Sequence, residues 1–247
     1  MITHKSRVAL LAVSVLLTGC GAGAAAAPDD EPGAPGPRVT GEPRPDAALA
    51  PAPRKLPGLG PRTWDKVPAD ARQAVVVTGR GRDSEHSTVV LHERTAAGWR
   101  AGPGWPAHNA RRGWTEQHVV GDLRSPVGVF TLTDAGGLLP DPGTRLSYGQ
   151  GSGFTISGTG FEGEPLAGSF DYVIAIDYNR RTGTSPLDLT RPMGAGRGGG
   201  IWLHVDHGGP TQGCVGIAKE NMRRLLLALD PKRRPVVVMG DAASLAR

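Results

Sequence analysis

The sequence predicts a mainly β domain with one C-terminal helix. Short β-rich apolar runs recur from about residue 74 onward, separated by clusters of Gly, Pro, Asp and Asn. Apolar spacing with a clear helical period occurs near the end of the chain. Apolar residues make up 38% of the 247 positions, which is enough for a core and excludes wholesale disorder.

Composition excludes several function classes. Two cysteines do not make a disulfide-stapled scaffold or a zinc site of four thiolates. No apolar run approaches the roughly 20 residues of a transmembrane helix. The net charge is +5, with no dense Lys/Arg cluster interleaved with aromatics, so nucleic acid is not an expected partner.

In chain order, residues 1–19 read as a secretory signal of lipoprotein type. Lys5 and Arg7 precede the ten-residue apolar stretch Val8–Leu17, and small residues follow. The stretch runs into Leu17-Thr18-Gly19-Cys20, which resembles the lipobox of bacterial lipoproteins, where the cysteine is acylated and becomes the first mature residue. That reading makes Cys20 a lipidation site. The expected location is then outside the cell, anchored by lipid to the outer face of the cytoplasmic membrane, in the cell-wall zone. The other reading is an ordinary signal cut within Ala24–Ala27. Residues 20–61 read as a disordered linker: Pro, Ala and Gly fill 27 of the 41 positions from 21 to 61, and none is aromatic. Fully extended at ~3 Å per residue, it would reach on the order of 100 Å.

The folded part is expected over 62–247. Its strand candidates are Ala74–Thr78, Thr88–His92, Val127–Thr133, Phe154–Ser157, Tyr172–Tyr178, Ile201–Val205 and Val236–Met239. Met222, Leu225, Leu226 and Leu229 lie at i, i+3, i+4 and i+7, with Lys219, Glu220, Arg223 and Arg224 on the other face. Pro231 ends that helix. Arg100–Arg112 and Asn179–Gly200 read as long loops. The five tryptophans read mainly as core or loop anchors.

The chemistry lies in Ile201–Ile217, IWLHVDHGGPTQGCVGI. With Cys20 acylated, Cys214 is left without an intramolecular partner. Either it is a small buried hydrophobe or it is a reactive thiol. His204 closes an apolar run, and the glycine turn after it returns the chain towards Cys214. An imidazole beside a thiol takes its proton and favours a thiolate–imidazolium pair. Gly213 leaves the backbone open for an oxyanion hole. His207, in the turn, is the lesser candidate for the base. Zinc on His204, His207 and Cys214 is the competing use, although the usual zinc motifs are missing. The expected site holds no metal or other cofactor.

This segment resembles the catalytic motif of L,D-transpeptidases with the YkuD-like domain. His204 stands at a strand end, followed by a glycine turn and then Thr211, Gln212, Gly213, Cys214 and Val215. Upstream, Ser125-Pro126-Val127-Gly128-Val129-Phe130 and Tyr172–Asn179 resemble two further family segments. The resemblance implies a curved mixed sheet with a cradle-like groove, and peptidoglycan stem peptides as partners. It implies that Cys214 attacks the third residue of a stem tetrapeptide and releases D-Ala. An amine of a second stem then takes the acyl group, giving a 3→3 cross-link. His204 would relay protons in both steps, the Val205 carbonyl would orient its ring, and the Gly213 and Cys214 N–H groups would form the oxyanion hole. Many members carry His at the place of Gln212 and Arg at the place of Gly216. Arg180, Arg181 and Arg197 are the candidates to replace that charge. An L,D-carboxypeptidase using the same site and an inactive wall-binding lipoprotein are the alternatives.

Overall fold

The computed structural model describes residues 54–247. The N-terminal signal, Cys20 and nearly all of the linker lie outside the described residues. The elements are α1 (Pro61–Trp64), β1 (Gln73–Gly79), β2 (His86–Thr95), β3 (Gly98–His108), β4 (Trp114–Thr115), β5 (Ser125–Pro126), β6 (Gly128–Thr131), β7 (Asp134–Gly137), β8 (Ser147–Gln150), β9 (Val173–Ala175), β10 (Trp202–Val205), β11 (Val215–Ile217), α2 (Lys219–Ala228), β12 (Pro235–Asp241) and α3 (Ala242–Leu245). Ten strands form one curled mixed sheet in the order β6-β12-β1-β2-β3-β11-β10-β9-β7-β8. The pairs β1/β12, β10/β11 and β7/β8 are parallel, and the rest are antiparallel. The fold is mainly β, with its one long helix near the C-terminus, as the sequence predicts.

β1 and β12 are continuous apolar runs because both of their faces are covered. Val75, Val77, Val237 and Met239 face the main core, which also receives Met222, Leu225 and Leu226 of α2. Ala74, Val76, Val236 and Val238 face a second core, with Trp99, Leu56 and Leu245. Leu56 is only 2% exposed, so the folded part starts upstream of the expected boundary at residue 62. α1 follows it, and the chain there lies against α3: Gly60 N–H donates to the Leu245 carbonyl at 2.9 Å. A Cβ at Gly60 would sit 2.1 Å from the Ala246 carbonyl oxygen, so the approach requires glycine.

Three local expectations are corrected. Residues 100–108, read as loop, are the second half of β3, paired with β2 across a bulge between Val90 and His92. Their glycines and prolines disguise a strand whose other side meets β11 only at Ala107 and His108. Proline is tolerated there because its missing N–H faces no neighbour. Residues 154–157 form no strand. Phe154 ends a 3₁₀ turn and is buried against Gly136, and the strand lies just before it, as β8. Within Tyr172–Tyr178 only Val173–Ala175 is paired, and β7 was not expected at all. Asn179–Gly200 is loop apart from a 3₁₀ turn at Ala195–Arg197, as read from the sequence.

Leu56→Ala tests where the domain begins. Emptying its buried site should cost about 2–5 kcal/mol in urea denaturation. A loss below about 0.5 kcal/mol, the range of ordinary surface substitutions, would return this segment to the linker.

Candidate active site

The side chains of Leu203, Val205, Val215 and Ile217 fill the main core. Strand side chains alternate between faces, so Trp202, His204 and Gly216 lie on the opposite face. Leu203 pairs with Val215 and His204 with Gly216, which puts Cys214, one residue before β11, on the face of His204. Both line one cavity of about 410 Å³, together with His118, His207, Phe170 and Gly213.

His204 is 3% exposed. Its Nδ1 lies 2.8 Å from the Val205 carbonyl. A carbonyl only accepts, so Nδ1 carries the hydrogen and Nε2 keeps the basic lone pair. Among the described residues Nε2 has no protein partner. The Phe170 ring meets the imidazole edge-on at 5.5 Å, and His207 stacks on it at 5.8 Å. Burial is the main cause that pushes its pKa down to about 4; the Val205 hydrogen bond opposes this and the nearby His207 adds to it.

Cys214 is half-buried and is a free thiol. Its Sγ accepts from the Trp202 N–H at 3.4 Å and its S–H reaches the Gly200 carbonyl at 3.6 Å. Burial raises the thiol to about 11, partly opposed by the Trp202 N–H. No hydrogen bond joins Cys214 to His204. The two side chains share this face without a direct hydrogen bond, and burial pushes each towards its neutral form.

The turn before Cys214 is held by polar contacts. The Thr211 hydroxyl donates to the Cys214 carbonyl at 2.7 Å and Ser125 Oγ reaches the same oxygen at 3.4 Å. Thr211 N–H donates to the Asn109 carbonyl at 3.0 Å. Among the described residues no acceptor takes the N–H of Gly213 or Cys214, which leaves both donors for a ligand oxygen. Gln212 is exposed at the cavity rim. His207 Nδ1 faces Glu164 Oε1 at 3.1 Å, without the alignment of a hydrogen bond. Among the described residues His204, His207 and Cys214 do not converge as a metal-ligand cluster.

The three candidate arginines do not reach the cavity. Arg180 is buried and paired with Asp134 at 3.0 Å and with Asp177. Arg181 and Arg197 are exposed. Among the described residues no Lys or Arg lines the cavity, and its titratable groups there are Cys214 and three histidines. At Gly216 an added Cβ would meet Asp206 Oδ1 at 2.9 Å, and Asp206 is itself paired with His108 at 3.0 Å. That pair occupies the space an arginine side chain would need. Trp99, Trp105 and Trp114 are buried and Trp202 packs on Phe154 and Phe170, so these tryptophans anchor the fold.

His118, Phe170 and Glu164 were not found from the sequence. They come from loops with no periodicity and no motif, and only the folded chain brings His118 and Phe170 to the cavity and Glu164 beside His207.

No family model matches the sequence, and no curated protein matches it. A solved structure of Bd1075 from Bdellovibrio bacteriovorus overlaps 69% of this chain and 48% of its own, at 16% identity and a TM-score of 0.37. This chain spans about half of that protein's length, and a likeness at this level carries no argument.

Two measurements check the electrostatics. Alkylation of Cys214 by iodoacetamide should climb with pH through the alkaline range, with an apparent pKa above the ~8.5 of a free thiol. At pH 7 it should be slower than that of glutathione. A plateau already reached below pH 7 would show a preformed thiolate and overturn the neutral pair. His204 also affects stability. Its folded pKa of about 4 lies below the unfolded 6.5, so the unfolded chain binds the extra proton. Stability is full above pH 6.5 and is lost as pH falls towards 4. His92, also lowered by burial, adds in the same direction. Urea unfolding at pH 7.5 and pH 5 should differ by about 2 kcal/mol from His204 alone. That share should vanish in His204→Gln, and an unchanged difference would refute the assignment.

Proposed function

We propose that this chain is a cysteine-dependent acyltransferase of the L,D-transpeptidase type, forming 3→3 cross-links between peptidoglycan stem peptides. The observation that carries the reading is the placement of Cys214 and His204 on one face of two adjacent parallel strands, over one cavity, with His204 Nδ1 tied to Val205. The resemblance of Thr211–Val215 to the family motif supplies the substrate class.

In the first step Sγ attacks the carbonyl carbon of the third stem residue as its proton passes to His204 Nε2. The oxyanion is met by the unpaired N–H groups of Gly213 and Cys214, each such donor being worth about 10²–10³ in rate. The tetrahedral intermediate collapses, the C–N bond breaks, and the D-Ala amine leaves with the proton from His204. A thioester on Cys214 remains. An imidazole of low pKa is a poor resting base but a strong acid once protonated, which suits it to the amine leaving group. In the second step the side-chain amine of another stem forms the new amide and the sulfur leaves. The Thr211 and Ser125 contacts fix the chain at Cys214 through its carbonyl oxygen. Acylation of Cys20, outside the described residues, would hold the enzyme at the membrane surface facing the wall.

The test is mass spectrometry of the full-length protein after exposure to a carbapenem, a compound class that acylates the catalytic cysteine in the family resembled. One covalent adduct is expected on the parent and none on Cys214→Ala. A folded parent that takes up no adduct would overturn the reading.

A further inference from the structure

The cavity holds an imidazole that the first step does not use. His118 is 5% exposed and lies on the loop between β4 and β5. Its Nδ1 is 3.0 Å from Asp122 Oδ1. Asp122 is fixed independently, accepting from the Val119 N–H at 3.0 Å and the Arg124 N–H at 2.8 Å. The ring stands edge-on to Tyr178, whose hydroxyl donates to the Arg197 carbonyl at 2.8 Å. The ring is thus held from two sides, with the carboxylate at Nδ1 and Nε2 turned the other way.

Two glycines show where Nε2 looks. A Cβ added at Gly198 would lie 2.7 Å from Nε2, so the Gly198 backbone packs close beside that nitrogen and leaves no room for a side chain there. Gly198 also has φ +66°, where other residues are strained. A Cβ at Gly213 would lie 3.8 Å from Cε1. The ring therefore packs one residue from the nucleophile, beside an N–H assigned above to the oxyanion. Nε2 has no protein partner among the described residues. A carboxylate beside Nδ1 and an Nε2 without a protein partner, on a ring that lines the cavity, suit a general base.

We propose that His118, oriented by Asp122, is the base for the second half of the reaction, taking the proton from the nucleophile that attacks the thioester. This rests on the acyltransfer reading above and divides the proton traffic between two imidazoles. The acceptor amine enters as the free base, and its nitrogen bonds to the thioester carbonyl carbon. The proton it sheds goes to His118 Nε2. The C–S bond breaks and sulfur leaves as thiolate. His118 returns the proton to that thiolate through the cavity, and both imidazoles end neutral. If water enters instead, the same proton path gives the free acid.

The other imidazoles suit this step less. His204 serves the first step, with its Nδ1 tied to the Val205 carbonyl. His207 stacks on His204 at 5.8 Å, so a proton on one opposes a proton on the other. Packing alone does not account for a histidine at 118. Its Nδ1 is a buried atom out of line for a hydrogen bond with Asp122, and Asp122 is already satisfied by two backbone donors.

The test compares the full-length parent with His118→Gln and Asp122→Asn. The donors are synthetic stem tetrapeptides ending in D-Ala, with lysine or diaminopimelate third, and an amine acceptor is added. Released D-Ala, covalent protein mass and cross-linked product are followed together. In His118→Gln the first equivalent of D-Ala should appear within about threefold of the parent rate. Steady turnover should fall about 100-fold, the scale of a lost general base, and the acyl-enzyme mass should accumulate. Asp122→Asn should shift the same way by a smaller factor, and it covers the case in which His118→Gln fails to fold. Unchanged turnover in the folded variants, or equal loss of the D-Ala burst and of turnover, would overturn the proposal. A parent that gives no acyl-enzyme with any donor or with a carbapenem would sink the underlying reading instead.

Discussion

The site depends on the register between β10 and β11. A slip of one residue between two strands turns one set of side chains over. It would leave His204 facing the cavity and send Cys214 into the core. The register is held by four apolar side chains on the inner face, Leu203, Val205, Val215 and Ile217, and by Asp206 N–H donating to the Ile217 carbonyl at 2.8 Å. Thr211 and Ser125 then fix the approach to β11 through the Cys214 carbonyl. The core thus places the chemistry without contributing a reacting atom.

The burial that fixes this geometry also sets the protonation states. The imidazole is driven down and the thiol up, each chiefly by loss of water. The thiolate is the form that oxidises and reacts. Burial, by pushing the thiol up, works against the form that oxidises. The lining lacks Lys and Arg, so no fixed cation stabilises the thiolate beforehand. Charge management falls to imidazoles and backbone dipoles.

How far the sequence could be read follows from where side chains do the work. β1, β12 and α2 were legible because burial writes apolar runs or a helical stripe into them. Cys214 and His204 were legible because the glycine turn between them is local. β3 was hidden by Pro103 and Pro106, allowed by an open edge, and β7 by its Asp-Ala-Gly-Gly sequence. At Gly137 a Cβ would lie 2.2 Å from the Asp171 carbonyl oxygen, so that strand is selected for smallness rather than for β propensity. His118 was illegible because its place at the cavity arises from spatial neighbours, Gly198 and Gly213, that no local pattern connects to it. Arg180 misled because a loop arginine in a glycine-rich segment reads as free charge, whereas Asp134 and Asp177 bury it.

The pairing of β1 with β12 separates the two cores like a shared wall. Gln73 lies beside Pro235 and Gly79 beside Asp241, partners at opposite ends of the domain. During synthesis β1 emerges early and has β2 for one neighbour, but its other side stays open until β12 has been made. Neither core is complete before then, because β12 supplies Val237 and Met239 to one and Val236 and Val238 to the other. Contacts of such long sequence separation form slowly. The chain therefore completes its fold late, once β12 is available to pair with β1.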